Sequence, residues 1–387
     1  LTENVTSATY CTTTGNICTP NTSATISDNS YTVELTGNEN EQVVCSQLNG
    51  TSKTICSNPV QVTAKDVILA DNPTIDNSRS NGITGPLTEN TTGTLYTAED
   101  DYGTSYFYAG DVDNNWVSFA GFYWRIIRIN GDGSIRLIYS GDSSSGPVET
   151  GESTQIGTSA FNEQYNDNAY VGYMYGTPGS DTYEETHANT NDSTIKTVLD
   201  NWYQNNLLGY SDYISTEIVF CNNRKAKSEV WPGYGDLGYG TNATAYEPWS
   251  RFTASNSWAS TQTPNLKCSQ SNDYFSVSGS SKGNNKLTYP VGLITSDEVV
   301  LAGGFGGSDN TSYWLYTNQE YWTLSPSNFS PSFGYTANVF GVRSDGLLAW
   351  YSVNNTSYGV RPVINLDKNA ILSSGDGTID NPYVVGA

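Results

Sequence analysis

The chain is short of the residues on which most enzymes and nucleic-acid binders rely. Among 387 residues it has one histidine, one methionine and 17 basic residues against 39 acidic ones, a formal charge of −22. Its longest basic cluster is Arg224-Lys225-Ala226-Lys227. A phosphate backbone binds by exchanging counterions for many protein cations, so no nucleic-acid partner is expected. Anionic lipid is disfavoured for the same reason, and no apolar run reaches membrane-spanning length, so no membrane insertion by this segment is expected. Hydrolysis by a Ser/His/Asp arrangement needs a histidine held by a carboxylate. The one histidine, His187, lies in the polar run Glu184-Glu185-Thr186-His187-Ala188-Asn189 and reads as a solvated loop residue. There is no C-x-x-C, no glycine-rich phosphate loop before a helix, and no pair of carboxylates that stands out as a glycosidase pair. The chain is therefore read as a protein without enzymatic activity and without a cofactor.

What is present is aromatic and polar. Aromatic residues make up 12% of the chain, with 28 tyrosines and nine tryptophans, which sets it apart from disordered sequences. Thirty-seven glycines and few strong helix formers indicate a β-rich fold with turn-dense connections. The length suits two domains. Six cysteines (Cys11, Cys18, Cys45, Cys56, Cys221 and Cys268) form an even set, four of them within the first 56 residues. That distribution favours disulfides over a zinc site, and hence an extracellular, cell-surface location or a place in a surface filament. Cys11 with Cys18, Cys45 with Cys56, and Cys221 with Cys268 are the favoured bridges, though four N-terminal cysteines allow three pairings. The chain starts at Leu1 rather than Met, and an upstream signal or anchor is expected.

Residues 1–62 read as a small all-β module of immunoglobulin-like form. Thr32-Val33-Glu34-Leu35 alternates, turns are marked by Thr14-Gly15-Asn16 and Asn49-Gly50, and Gln42–Cys45 and Lys53–Cys56 flank the second. Residues 63–94 read as a linker with one strand-like piece, Val67-Ile68-Leu69-Ala70. The remainder, 95–387, reads as α+β. Its clearest element is a hairpin of Phe122–Ile129 and Ser134–Tyr139 around Asn130-Gly131-Asp132-Gly133. One helix is expected over 193–208, where Ile195, Val198, Leu199, Trp202 and Leu207 recur at helical spacing before Gly209. A second should start at the capping box Thr295-Ser296-Asp297-Glu298 and end at Gly303-Gly304. Short strands follow at Tyr321–Leu324, 335–343, 347–353 and Val360–Leu366.

Two segments carry candidate chemistry. Asp111-Val112-Asp113-Asn114-Asn115 places oxygens at alternate positions, which makes Asp111 and Asp113 the calcium candidates. The EF-hand glycine and twelfth-position glutamate are missing, and an Asx-rich turn is favoured. The other is Ser325–Tyr358, where small polar residues alternate with aromatics. If Ala337, Val339, Ala349 and Val353 face inward, Asn338, Phe340, Arg343 and Trp350 remain on an outer face fit for binding. The competing reading packs Phe340 and Trp350 in the core. Arg361 and Trp322 are expected to hold the fold, Arg361 by satisfying buried carbonyls.

Trp124-Arg125-Ile126-Ile127, Tyr321-Trp322-Thr323-Leu324-Ser325-Pro326 and Tyr358-Gly359-Val360-Arg361-Pro362-Val363-Ile364-Asn365 resemble a family of surface proteins from gut Firmicutes. That family is similar to the C-type-lectin-fold domains of formylglycine-generating sulfatase-modifying factors and of the variable proteins of diversity-generating retroelements. The resemblance implies a C-type-lectin-like domain, two helices plus small antiparallel sheets, over 95–387. In variable proteins the segment before the Gly-Val-Arg-Pro-Val-Ile end is the diversified ligand surface, about Ser327–Ser352 here. The oxidase branch uses a C-terminal cysteine pair, and no cysteine lies beyond Cys268. The N-terminal module more loosely resembles immunoglobulin-like repeats of Firmicutes surface proteins.

The expected function is recognition: an adhesin binding a protein or glycan on another cell, phage or host surface. The expected contact residues are Asn328, Phe329, Phe333, Tyr335, Asn338, Phe340, Arg343, Trp350 and Tyr351. Alternatives are a structural subunit or tip self-assembling into an extracellular filament, and a carbohydrate-active protein using its aromatics against sugars.

Overall fold

The computed structural model describes residues 5–14, 17–25, 41–48, 54–56, 60–80, 82–227, 233–254 and 257–386, with side chains from residue 62 onward except Phe333. Its organising element is the hairpin read from the β-branched runs: Phe122–Ile129 pairs antiparallel with Ile135–Asp142. Successive strand residues face opposite sides of a sheet, so burial of both Ile126 and Ile127 means that both faces are covered. Around the hairpin stands a nine-stranded sheet. Phe122–Ile129 pairs with Trp116–Phe119 and Gly103–Phe107 as well as with Ile135–Asp142, which in turn carries Val363–Leu366. The final strand, Tyr383–Val385, runs parallel to Trp116–Phe119.

Helices are few and mostly well capped. Thr194–Asn206 is capped by Ser193 and buries Ile195, Leu199 and Tyr203 at four-residue spacing. Ser296–Ala302 begins at the Thr295/Glu298 capping box and ends at Gly303, whose φ of 124° suits glycine. Both helices match the expectation from spacing and caps. Ala64–Asp71 and Glu247–Phe252 are additional. Mostly strands with these few helices, the fold is α+β.

The stretch expected as a linker is part of the folded body. Val67–Ala70, expected as a strand piece, lies inside the helix Ala64–Asp71, whose start is fixed by a Thr63/Asp66 capping box. Ala64 and Ile68 share a face and are buried, and the Ala64 amide donates to the Ala370 carbonyl at 2.7 Å. Farther on, Thr74–Asp76 adds a parallel strand to Thr94–Asp100. Arg79 then donates to the Val300 and Leu301 carbonyls at 2.8 and 3.0 Å, covering the C-terminal end of the Ser296–Ala302 helix. β-Branched Val67 and Ile68 suggested a strand, but a cap plus four-residue burial spacing decides for helix.

At the N-terminus the described strands form an antiparallel sheet in the order Ile17–Thr25, Val5–Thr14, Glu41–Leu48, Thr54–Cys56, with Val60–Gln61 also on Glu41–Leu48. Its register sets Cys45 opposite Cys56. The side chains of Cys11, Cys18, Cys45 and Cys56, the expected strand Thr32–Leu35, and the turn residues Gly15-Asn16 and Asn49-Gly50 lie outside the described residues. Cys221 and Cys268 are bridged, closing a loop of 47 residues, a constraint of about 4 kcal/mol by loop-closure entropy.

Candidate functional site

The C-terminal sheet orders its strands as Thr244–Ala245, Tyr321–Ser330, Thr336–Val342 and Leu348–Ser352. Every residue of Tyr321–Ser330 is buried, including its serines and asparagine. Their polar groups, apart from the Ser330 hydroxyl, are used internally. The Thr323 hydroxyl donates to the Phe340 carbonyl at 2.8 Å, the Ser325 hydroxyl accepts from the Ser296 amide at 2.9 Å, and Asn328 donates to the Tyr234 hydroxyl at 3.4 Å. Asn328 and Phe329, expected as contact residues, are therefore sealed between elements.

Register places Phe340 opposite Trp350 and Val339 opposite Tyr351. As expected, Ala337, Val339 and Val353 are buried, and Ala349 is half-buried. The face expected to be open is covered as well. The helix Glu247–Phe252 lies over it, setting Phe252 edge-on to Phe340 at 5.6 Å and Trp249 at 5.9 Å from Trp350. Phe340 is consequently 0% exposed and belongs to the core, contrary to its outward assignment. The cover is anchored by Arg251, which donates from Nε and Nη2 to the two Asp297 carboxylate oxygens at 2.7 and 2.9 Å.

Beyond that cover the sheet opens. Trp350 is half-buried and packs 4.9 Å from the equally half-buried Trp258, while Tyr234 stands edge-on to Trp249 at 5.0 Å. Asn338 is half-buried on the same face as Trp350, its amide donating to the Thr336 carbonyl at 3.1 Å. At the tip, Tyr335 is 53% exposed and holds a left-handed φ of 57° directly after Gly334 at 89°. A non-glycine residue in that region is strained. Nearby, Tyr165 is also exposed, its carbonyl accepting from the Ala337 amide at 2.7 Å. Arg343 is exposed and paired with Asp345 at 2.7 Å. Tyr351 lies half-buried on the opposite face against Tyr358, 4.6 Å between rings. The side chain of Phe333 is outside the described residues.

Of the eight expected contact residues whose side chains are described, five remain reachable: Tyr335, Asn338, Arg343, Trp350 and Tyr351. Sequence reading missed Tyr234, Trp249 and Trp258, the covering segment. Its signal was the helix start Glu247-Pro248-Trp249, with proline in the first turn.

One other expectation changes. His187 is buried rather than solvated, stacked 4.0 Å from Tyr183 with Nε2 2.8 Å from the Gly238 carbonyl. It ends the short helix Tyr183–Thr186, whose Thr182 cap turned a polar run inward. Burial, with Arg224 nearby, holds its pKa well below the usual histidine value. Asp111 and Asp113 are exposed, and among the described residues no group of three or more His, Cys, Asp or Glu side chains converges as a metal site would require.

Arg361 and Trp322 sit where expected. Arg361 is buried and donates to the Tyr139 and Thr154 carbonyls at 3.2 and 3.1 Å, and Trp322 is core. Compared with known proteins, the chain matches no family model, no curated protein and no solved structure.

Proposed function

We propose that this chain is an extracellular recognition protein that binds a protein or glycan surface through the open rim of its C-terminal sheet. One observation carries the reading: Trp258, Trp350 and Tyr335 stay accessible beside a hairpin whose Ala337, Val339, Phe340, Val342 and Leu348 are sealed in the core. Aromatic side chains held rigidly give contact area at small entropic cost, and adjacent amides such as Asn338 supply adaptable polar contacts. The Cys221–Cys268 disulfide supports an oxidising compartment, and among the described residues no helix is long and apolar enough to cross a membrane.

The finer assignment is a C-type-lectin-like domain behind an immunoglobulin-like module, with the rim as the diversified segment. It rests on the motif resemblance. The test is capture of the protein on a glycan array and a cell-surface protein array, comparing wild type with Tyr335→Ser and Trp350→Ala. Loss of capture in both variants at near-native melting temperature is expected. Undiminished capture by both would remove the rim from the binding surface.

A further inference from the structure

The eight arginines of this acidic chain divide into two kinds. Arg128, Arg136, Arg224, Arg251 and Arg343 each have a carboxylate within 4 Å: Asp100 and Glu298, Glu298, Asp273, Asp297, and Asp345 respectively. Arg79, Arg125 and Arg361 have none among the described residues; Arg79 caps a helix end through two carbonyls, while Arg125 is only 2% exposed. A buried charge without a counter-charge is costly, and a chain with 39 acids had ample means to supply one.

Arg125 is held rather than neutralised. Its Nε donates to the Asn115 side chain, its Nη2 donates to the Val112 carbonyl at 2.8 Å, and the guanidinium lies 4.3 Å over the Trp116 ring and 5.5 Å from that of Trp314. Among the described residues Nη1 has no hydrogen-bond partner. Glu149, Asp113 and Asp111 favour its charge from beyond ion-pair distance, while Arg361, also buried without a carboxylate, disfavours it. Burial lowers the pKa of Arg125 to about 9, so the group is still charged at neutral pH.

This guanidinium lines a cleft of about 310 Å³, large enough for a small metabolite. Thr150, Ser312, Trp314 and Tyr316 are among its lining residues. Two exposed carboxylates, Asp111 and Glu149, also line it, and both lie beyond ion-pair distance of Arg125. A simple anion would meet Arg125 but be repelled by these two acids. A neutral ligand would leave the guanidinium uncompensated. A ligand carrying both charges a few ångströms apart satisfies both ends.

We propose that the cleft binds a free zwitterionic α-amino acid, with its carboxylate on Arg125, its ammonium toward Asp111 and Glu149, and its side chain along Trp314 and Tyr316. The site is independent of the hairpin rim, so it stands whether or not the rim binds a ligand.

Calorimetric titration of the full chain with L-alanine and L-phenylalanine tests it, alongside N-acetyl-L-alanine and L-alanine methyl ester, which each lack one charge. Saturable binding of both amino acids is expected, weakened at least about tenfold by either blocking group. Arg125→Met should abolish binding. Because that variant is buried and can fail to fold, Glu149→Gln on the exposed rim is the second arm. It should weaken L-alanine about five- to tenfold while strengthening N-acetyl-L-alanine. No saturable binding by wild type up to about 10 mM, or equal binding of L-alanine and its N-acetyl form, would overturn the proposal.

Discussion

The strand Tyr321–Ser330 is built mainly from small polar and aromatic residues, and the rim from Tyr335 to Tyr351 adds aliphatic ones to the same mixture. Yet all ten residues of the strand are buried, whereas Tyr335 and Arg343 are exposed and Asn338, Trp350 and Tyr351 half-buried. Composition does not separate them; the cover does. The helix Glu247–Phe252 packs Phe252 on Phe340 and Trp249 on Trp350, and the strand Tyr321–Ser330, inside the sheet, also meets the Ser296–Ala302 helix, where its buried polar groups find internal partners apart from the Ser330 hydroxyl. The aromatic and polar surface open to solvent is therefore confined to what the cover leaves free.

The sharpest way to break this contrast is to empty the covered side. Phe340→Ala should cost about 3–5 kcal/mol by cavity formation, read as a large fall in the denaturant midpoint. A cost below about 1 kcal/mol would mean that the cover is loosely seated. Releasing the cover comes next: Arg251→Ala leaves the nearly buried Asp297 without its bidentate partner and should cost about 2–4 kcal/mol, with increased fluorescence change from Trp249 and Trp350. Unchanged stability and emission would show that the pair does not anchor the helix.

A smaller effect comes through His187, whose Nε2 contact holds the Gly238 carbonyl in the loop that carries Tyr234. Its folded pKa lies below the unfolded value of 6.5, so the unfolded chain takes up the proton first. The neutral-histidine contribution is fully present above pH 6.5 and is lost as pH falls below it, at about 1.4 kcal/mol per pH unit until the folded pKa is reached. The groups facing it include Arg224, which disfavours protonation, and the stacked Tyr183. The melting difference between wild type and His187→Gln should therefore shrink on acidification from pH 7 to 5. A difference independent of pH would argue against a buried neutral histidine.

Smallest in stability is Tyr335→Gly, which removes a left-handed tyrosine in favour of the residue that tolerates that φ. Melting should shift by no more than about 1 kcal/mol equivalent, in the stabilising direction, while ligand capture falls. A clear destabilisation would show that the ring packs on the sheet.

Much of the frame was legible. The Phe122–Ile129 hairpin declared itself by β-branched runs around a Gly/Asp turn, and both expected helices by their spacing and caps. Nonlocal cover was not legible. Asn328 and Phe340 alternate as an open strand would, and only the arrival of residues 234–258, far away in sequence, closes their face. His187 failed for a similar reason: a polar run is solvated by default until Tyr183 and Gly238 close over it.

Hydroxyl-radical footprinting of the free protein, read residue by residue by mass spectrometry, tests the open rim without any ligand in hand. We expect Tyr335, Trp350 and Trp258 to oxidise readily while Phe340, Phe329 and Trp322 are protected. Protection of Trp350 and Trp258 equal to that of Trp322 would contradict it.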